Sequence, residues 1–330
     1  MPSIVERIAS GRALEIASRL ASRTVPWRRG ALVTLTYHRL LIAGNEDLHP
    51  GLATVDPDLF SLQMDELARD WNPVTLGDVL DAAAGGPSLP SRAVLVTFDD
   101  GYRDFGEVAW PIMAARGIRP TLFVVTGHAT DPNRWFWWDR LHRALGRDSD
   151  TRLPRLSARV KALPHYEAMD LVNDVERESG LGPPRRRVTH DWSELRRLEA
   201  EGVDIAPHTV THPLLHRCPP DLISGELRDS WTRISGELVR PRPAFAYPDG
   251  GFNPEVLELM GATEMEIAFT TARGGGRPGW GDPLLLPRVN VGARTDVALL
   301  RAQLAVFGGT PMRMRSEPGN RRPAYPRNCD

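Results

Sequence analysis

Cysteine is almost missing from this chain. Its 330 residues hold only Cys218 and Cys329, far apart, which argues against a disulfide framework and against a cysteine-based zinc site. Neither sign of charge is in excess: 41 Lys and Arg stand against 42 Asp and Glu, a formal net charge of −1. The whole-molecule field therefore favours no nucleic-acid partner and no anionic surface, and a neutral, polar ligand suits that balance. No apolar run approaches the roughly 20 residues that span a bilayer. An uninterrupted apolar stretch of the secretory type is lacking too. The apolar residues of 1–30 recur at helical spacing but are broken by Glu6, Arg12, Glu15 and Arg19. They predict an amphipathic helix packed on its own domain. The alternative is a membrane-surface helix, suggested by Trp27, Arg28 and Arg29 at its end. The expected location is the cytoplasm, with any membrane contact peripheral, at the inner face, through this helix. No internal repeat is found.

What the sequence does contain is alternation. Short apolar runs at 31–38 (ALVTLTYH), 93–99 (AVLVTFD), 121–126 (TLFVVT), 203–207 (VDIAP), 244–247 (AFAY), 268–271 (AFTT) and 284–291 (LLLPRVNV) read as buried strands. Between them lie helical patterns at 57–69, 104–116, 191–201, 221–238 and 295–307. Strands alternating with helices predict an α/β fold on a parallel sheet, doubly wound or closed as a barrel. About seven strands suit a distorted, incomplete (β/α) barrel, one short of the closed form of eight. In either case the chemistry belongs at the C-terminal ends of the strands. Residues 135–187 are helical, charged and punctuated by proline, and read as an insertion into a main domain of 31–310. The Pro- and Arg-rich residues 311–330 read as a disordered tail.

Two constellations fall at strand ends. Thr97-Phe98-Asp99-Asp100-Gly101-Tyr102 puts adjacent carboxylates where like charge and desolvation both resist ionisation. A cation beside them would remove that penalty, and Gly101 would let the chain turn so that both face one site. Taken alone, Asp-Asp-Gly is common, and Asp100 or Asp104 capping the next helix is the plainer account. The second constellation is His208-Thr209-Val210-Thr211-His212-Pro213, directly after VDIAP. Two histidines four apart share a face if the segment makes one helical turn, a spacing from which both can reach one zinc ion. Alone, this pattern is weak. Together, Asp100, His208 and His212 would supply three ligands and leave a position open, the pattern of a catalytic zinc.

These motifs resemble the polysaccharide deacetylase (NodB homology) family, carbohydrate esterase family four. The resemblance runs from about residue 31 to 307 and includes Phe245-Ala246-Tyr247-Pro248-Asp249-Gly250-Gly251 and Leu286-Pro287-Arg288-Val289. It implies a distorted (β/α) barrel, one divalent metal ion, expected to be zinc, and hydrolysis of an acetamide on an N-acetylated glycan. Carried over by position, Asp99 matches the family's general base, and Asp100, His208 and His212 match its metal ligands. The backbone N–H of Asp249 falls where the oxyanion is held.

The chain departs from the family in two places. The late LxxH motif, whose histidine protonates the leaving amine, is missing, since the last histidine is His216. Leu35-Thr36-Tyr37-His38 fits that motif at the end of the first strand instead. The chain thus resembles relatives with a circularly permuted order, those acting on poly-N-acetylglucosamine, and His38 becomes the candidate general acid. A histidine without catalytic duty is the alternative. Asp249 stands where relatives carry Tyr, so substrate contacts are expected to differ there. Arg288 is a candidate for orienting Asp99, with a surface or structural salt bridge as its alternative. The aromatic run Trp135-Phe136-Trp137-Trp138 is expected to be mostly buried, with room for one Trp to line the cleft. His49, His128, His142, His165, His190 and His216 are given no role; as a fourth ligand His216 would close the open position. Beside glycan deacetylation stand two alternatives: hydrolysis of a non-sugar amide or O-acetyl ester, and an inactive sugar-binding relative.

Overall fold

The computed structural model describes residues 15–20, 26–131, 133–184 and 186–314. At its centre lie seven strands: β1 (Leu32–Tyr37), β2 (Ala93–Phe98), β3 (Thr121–Val124), β4 (Asp204–Pro207), β5 (Ala244–Ala246), β6 (Ile267–Arg273) and β7 (Leu286–Asn290). They run in the order β4-β3-β2-β1-β7-β6-β5 with every pairing parallel. A two-residue strand, Asn72–Pro73, also pairs with β2. No strand pairing joins β4 to β5 among the described residues, so the expected incomplete barrel is observed, nearly closed with one seam. Side chains bridge that seam at both ends. Arg242 donates to Asp204 at 2.8 Å at the start of the strands, and His208 Nδ1 lies 2.6 Å from the Ala246 carbonyl oxygen at their finish.

The two-residue period of the pleat decides what faces the barrel interior. Along β2, Val94, Val96 and Phe98 pack outward against helices, in a cluster with Phe60, Met64 and Leu195. Ala93 and Leu95 join the interior cluster with Phe123, Ala244 and Phe269. Along β1, Leu32 is interior while Val33, Leu35 and Tyr37 are exterior. Extending the same parity brings Thr97 and Asp99 from β2, and Thr36 and His38 from β1, to the interior at the strand ends.

The predicted helices form with the caps their sequences carry. Pro57–Asp70 starts on Asp56, whose side chain accepts from Leu59 N, and Trp192–Glu201 starts on an Asp191/Glu194 capping box and stops at Gly202 with φ 111°. The pattern at 104–116 differs from expectation. It begins as a π-turn, Phe105–Ala109, before the α-helix Trp110–Ala114. Pro111 has no N–H to donate at that point, which favours a local change of register.

Within the expected insertion at 135–187, between β3 and β4, stand the helices Trp137–Leu145, Ser149–Ala162 and His165–Glu178. Their apolar faces (Leu141, Leu153, Val160, Val172) form one cluster with Leu48, Tyr102 and Val125 of the barrel rim. Near the start of the chain, residues 15–20 are helical, and Glu15 and Ser18 both bond Arg301. The rest of the expected N-terminal helix up to residue 25, and residues 315–330 of the expected tail, lie outside the described residues. No helix among those described is long and apolar enough to cross a membrane.

Candidate metal centre

Asp99 ends the interior row of β2, and the pleat would send Asp100 outward. The backbone prevents that. Asp100 takes φ 73° and Gly101 φ 82°, and Gly101 N donates to the Asp99 carbonyl at 2.9 Å, closing a three-residue turn centred on Asp100. The turn expected of Gly101 is therefore made by Asp100 and Gly101 together. It carries the second carboxylate back over the barrel mouth, 2% exposed. Asp104 caps nothing with its side chain; it accepts from Leu40 N at 3.2 Å and pairs with Arg39 at 3.5 Å.

The His208–His212 segment corrects the helical-turn expectation. It is irregular, and both Thr209 (φ 69°) and His212 (φ 59°) are left-handed. Thr209 Oγ1 accepts from His212 N at 2.9 Å. Glu226, from the helix Pro220–Glu237, accepts from Val210 N at 2.6 Å, Thr211 N at 2.9 Å and Thr211 Oγ1 at 2.5 Å. The histidines converge because a buried carboxylate gathers the loop. Non-glycine residues rarely take positive φ, and four of the five described here (Asp100, Thr209, His212, Asp249) belong to this site.

Asp100, His208 and His212 present donor atoms all within 4.8 Å of one another, and all three are buried. Asp100 Oδ1 lies 3.6 Å from His208 Nε2 and 3.4 Å from His212 Nε2, too far for good hydrogen bonds. Neither Asp100 oxygen has a hydrogen-bond partner. Burial pushes the Asp100 carboxyl far above the usual carboxylate range, and neighbouring Asp99 and Asp139 push it further. Burial also lowers both imidazoles, His208 to about 4 and His212 well below its ordinary value. Two neutral imidazoles and an orphaned carboxylate at this spacing are a costly arrangement for a protein alone. They fit a divalent cation, which would satisfy all three donors and reverse the preference of Asp100 for its proton.

Beside this cluster, Asp99 is gripped by Arg288 of β7. Nη1 donates to Oδ1 at 2.8 Å and Nη2 to Oδ2 at 2.7 Å, with both side chains buried. Arg288 Nε donates to the Thr270 carbonyl at 3.1 Å, so the fork is fixed on both sides. Burial alone would raise the Asp99 carboxyl. The Arg288 charge and hydrogen bonds, with a smaller contribution from His208, outweigh it, and the pKa lies below the ordinary value. His38 follows β1 and is half-buried. Burial lowers its pKa against the opposing pull of Asp99 and Asp249. Asp249 sits in the turn after β5 with φ 54°, and its side chain meets Lys161 of the insertion at 2.7 Å, both about two-fifths exposed.

The structure thus groups Asp100, His208 and His212, sets the Asp99–Arg288 pair beside them, and places His38 and Asp249 just after the ends of β1 and β5. The aromatic run is buried throughout: Trp135 5%, Phe136 2%, Trp137 9% and Trp138 7% exposed. His216 is not among the grouped donors; its ring packs on Gly251. Sequence reasoning missed Glu226, Asp139 and Lys161. Nothing local marks them, since each acts on a segment far away in the chain.

Residues 86–268 match the family described as polysaccharide deacetylase. Among curated proteins, the poly-beta-1,6-N-acetyl-D-glucosamine N-deacetylase of Escherichia coli is 30% identical over 91 residues, 27% of this chain and 13% of that protein. YxkH of Bacillus subtilis, assigned to the polysaccharide deacetylases, is 20% identical over 183 residues, 56% of this chain and 46% of that protein. The chain thus spans less than half the length of these curated relatives. Among solved structures, the Streptococcus pyogenes deacetylase PplD in complex with acetate superposes with TM-score 0.61 at 20% identity, covering 83% of this chain and 98% of that one. IcaB from Ammonifex degensii gives 0.57 at 20%, covering 84% and 97%. At these identities the likeness speaks to the fold.

Proposed function

Because this chain belongs to the polysaccharide deacetylase family, we propose that it hydrolyses the N-acetyl group of an N-acetylhexosamine in an oligo- or polysaccharide. The observation that carries the proposal is the Asp100 carboxylate, buried without a hydrogen-bond partner between two imidazole Nε2 atoms, with an ionised carboxylate beside it on an arginine fork. Likeness to a poly-N-acetylglucosamine deacetylase over part of its length supports a hexosamine substrate.

Asp100, His208 and His212 would hold the cation, expected to be zinc. When bound, it supplies Lewis acidity and makes a water acidic enough to use near neutral pH. Asp99 takes the proton of the attacking water, and Arg288 keeps it ionised and aimed. The Asp249 N–H donates to the oxygen that gains charge as the acetyl carbon becomes tetrahedral. His38, at the end of β1 between the strands that carry Asp99 and Arg288, delivers a proton to the nitrogen as the C–N bond breaks, leaving acetate and a free amine. Burial makes its imidazolium the stronger acid for that step.

The test is calorimetric titration of metal-stripped protein with zinc, comparing wild type with His208→Ala. One tight site per chain, lost in the variant, is expected, with acetate release from N-acetylglucosamine oligomers abolished in Asp99→Asn. No binding, or binding indifferent to His208→Ala, would refute the metallohydrolase and favour a sugar-binding relative.

A further inference from the structure

The two histidines of the centre are oriented by different means. His208 is fixed by a hydrogen bond: its Nδ1 donates to the Ala246 carbonyl at 2.6 Å, which leaves Nε2 facing Asp100. His212 has no such bond, and its buried Nδ1 is without a hydrogen-bond partner. The last torsion of a histidine has broad wells, so something else must set the plane of this ring. Aromatic side chains from the insertion surround it. Trp138 stands edge-on at 5.0 Å and 80°, and Phe136 at 5.7 Å and 85°. These two rings stack on each other at 4.7 Å and 5°.

That wall is itself anchored. Trp138 Nε1 donates to the Tyr102 hydroxyl at 2.9 Å, and the hydroxyl donates to Asp139 Oδ2 at 2.5 Å. The other Asp139 oxygen accepts from His49 N at 2.7 Å. Asp139 is completely buried. Tyr102 lies two residues beyond Asp100, so the chain of bonds ties the turn bearing one metal ligand to the wall that confines another.

We propose that Asp139 is a positioning residue of the metal centre: through Tyr102 it locks Trp138, and Trp138 with Phe136 sets the imidazole of His212. The inserted helices are then a working part of the centre. The proposal rests on reading Asp100, His208 and His212 as metal ligands. It assigns Asp139 no contact with the cation or the substrate.

The test uses the whole 330-residue chain, stripped of metal and titrated with Zn2+ or Co2+ against a chromogenic chelator. Asp139→Asn keeps the shape but must turn an NH2 either toward the His49 N–H, a donor, or toward the Tyr102 hydroxyl, whose own hydrogen then loses its acceptor. Its metal affinity should fall about tenfold, the usual scale for losing a supporting partner, with a shifted Co2+ absorption band. Trp138→Phe, which keeps a ring but removes the indole N–H, should act in the same direction. Tyr102→Phe combined with Asp139→Asn should weaken binding by less than the product of the single effects. Folded variants with lowered thermal stability but wild-type affinity and spectrum would overturn the proposal and leave Asp139 structural. If Asp139→Asn does not fold, Trp138→Phe decides alone. A wild-type protein whose metal binding ignores His208→Ala would instead defeat the metal-centre reading itself.

Discussion

Replacing Arg288 by Met tests the heart of the site through charge, since Met approximates the arginine stem and limits the cavity. The guanidinium and the Asp99 carboxylate are both buried and joined by two short bonds. Removing one partner of such a pair costs about 3–5 kcal/mol, because the other charge is left in a low-dielectric interior. For a chain of this size that lowers Tm by roughly 5 °C. The cost should depend on pH in a definite sense. In the wild type the Asp99 pKa is depressed, so its stabilisation is present above the unfolded carboxylate value and is lost as pH falls through the folded one. In the variant the largest remaining influence is burial, which raises the pKa. The folded protein then takes up a proton before the unfolded chain does, and stability improves on acidification. The gap between wild type and Arg288→Met should be widest near neutrality and should narrow toward pH 4. Chelator-treated protein melted at several pH values reads this directly. On metal-loaded protein, the acidic limb of kcat/KM for acetate release should move to higher pH. A gap independent of pH would show that the cost is packing. An unmoved acidic limb would show that Arg288 does not hold the reacting base.

Two further substitutions address the loops. Glu226→Ala strips the acceptor from Val210 N, Thr211 N and Thr211 Oγ1. It should cost about 2 kcal/mol, these donors being only partly buried, and it should weaken zinc binding measured against a chelator, whereas unchanged affinity would mean the loop holds its shape without Glu226. Gly250→Ala places a methyl against the side chain and backbone nitrogen of Thr271, at a residue with φ 67°. A loss of at least about 2 kcal/mol in urea unfolding is expected, and a variant of native stability would show that the Asp249 turn can move.

The barrel was legible because its signals are local and repeated. Runs such as AVLVTF and TLFV are apolar on both faces, as strands buried between a filled interior and a helical coat must be. Part of the candidate site was legible for a related reason. At each strand end the pleat or a single turn decides where a side chain points, so His38 and Asp99 could be placed from parity. Arg288 was visible as a candidate, yet whether it was surface or core depended on the pairing of β7 with β1 and β6, which no local pattern states. The His208–His212 geometry was misread for the same reason. The spacing suggested a helical turn, and a carboxylate from a distant helix imposed left-handed residues instead.

The insertion shows where local reading stops. Its composition announced helices and a buried aromatic run, and both are present. What it could not announce is that Trp138 and Phe136 are buried against His212 itself. An aromatic run that packs under a loop and one that confines a metal ligand have the same hydrophobicity and spacing. They differ only in which ring lies beyond, and that is fixed by tertiary hydrogen bonds from Tyr102 and His49 to one carboxylate. Burying a carboxylate is unfavourable unless its oxygens are occupied, and here both are. The wall therefore has one stable placement, and the ring it faces inherits that placement. A family motif marks the candidate ligands, while the proposed stiffness of the centre rests on residues outside the motif.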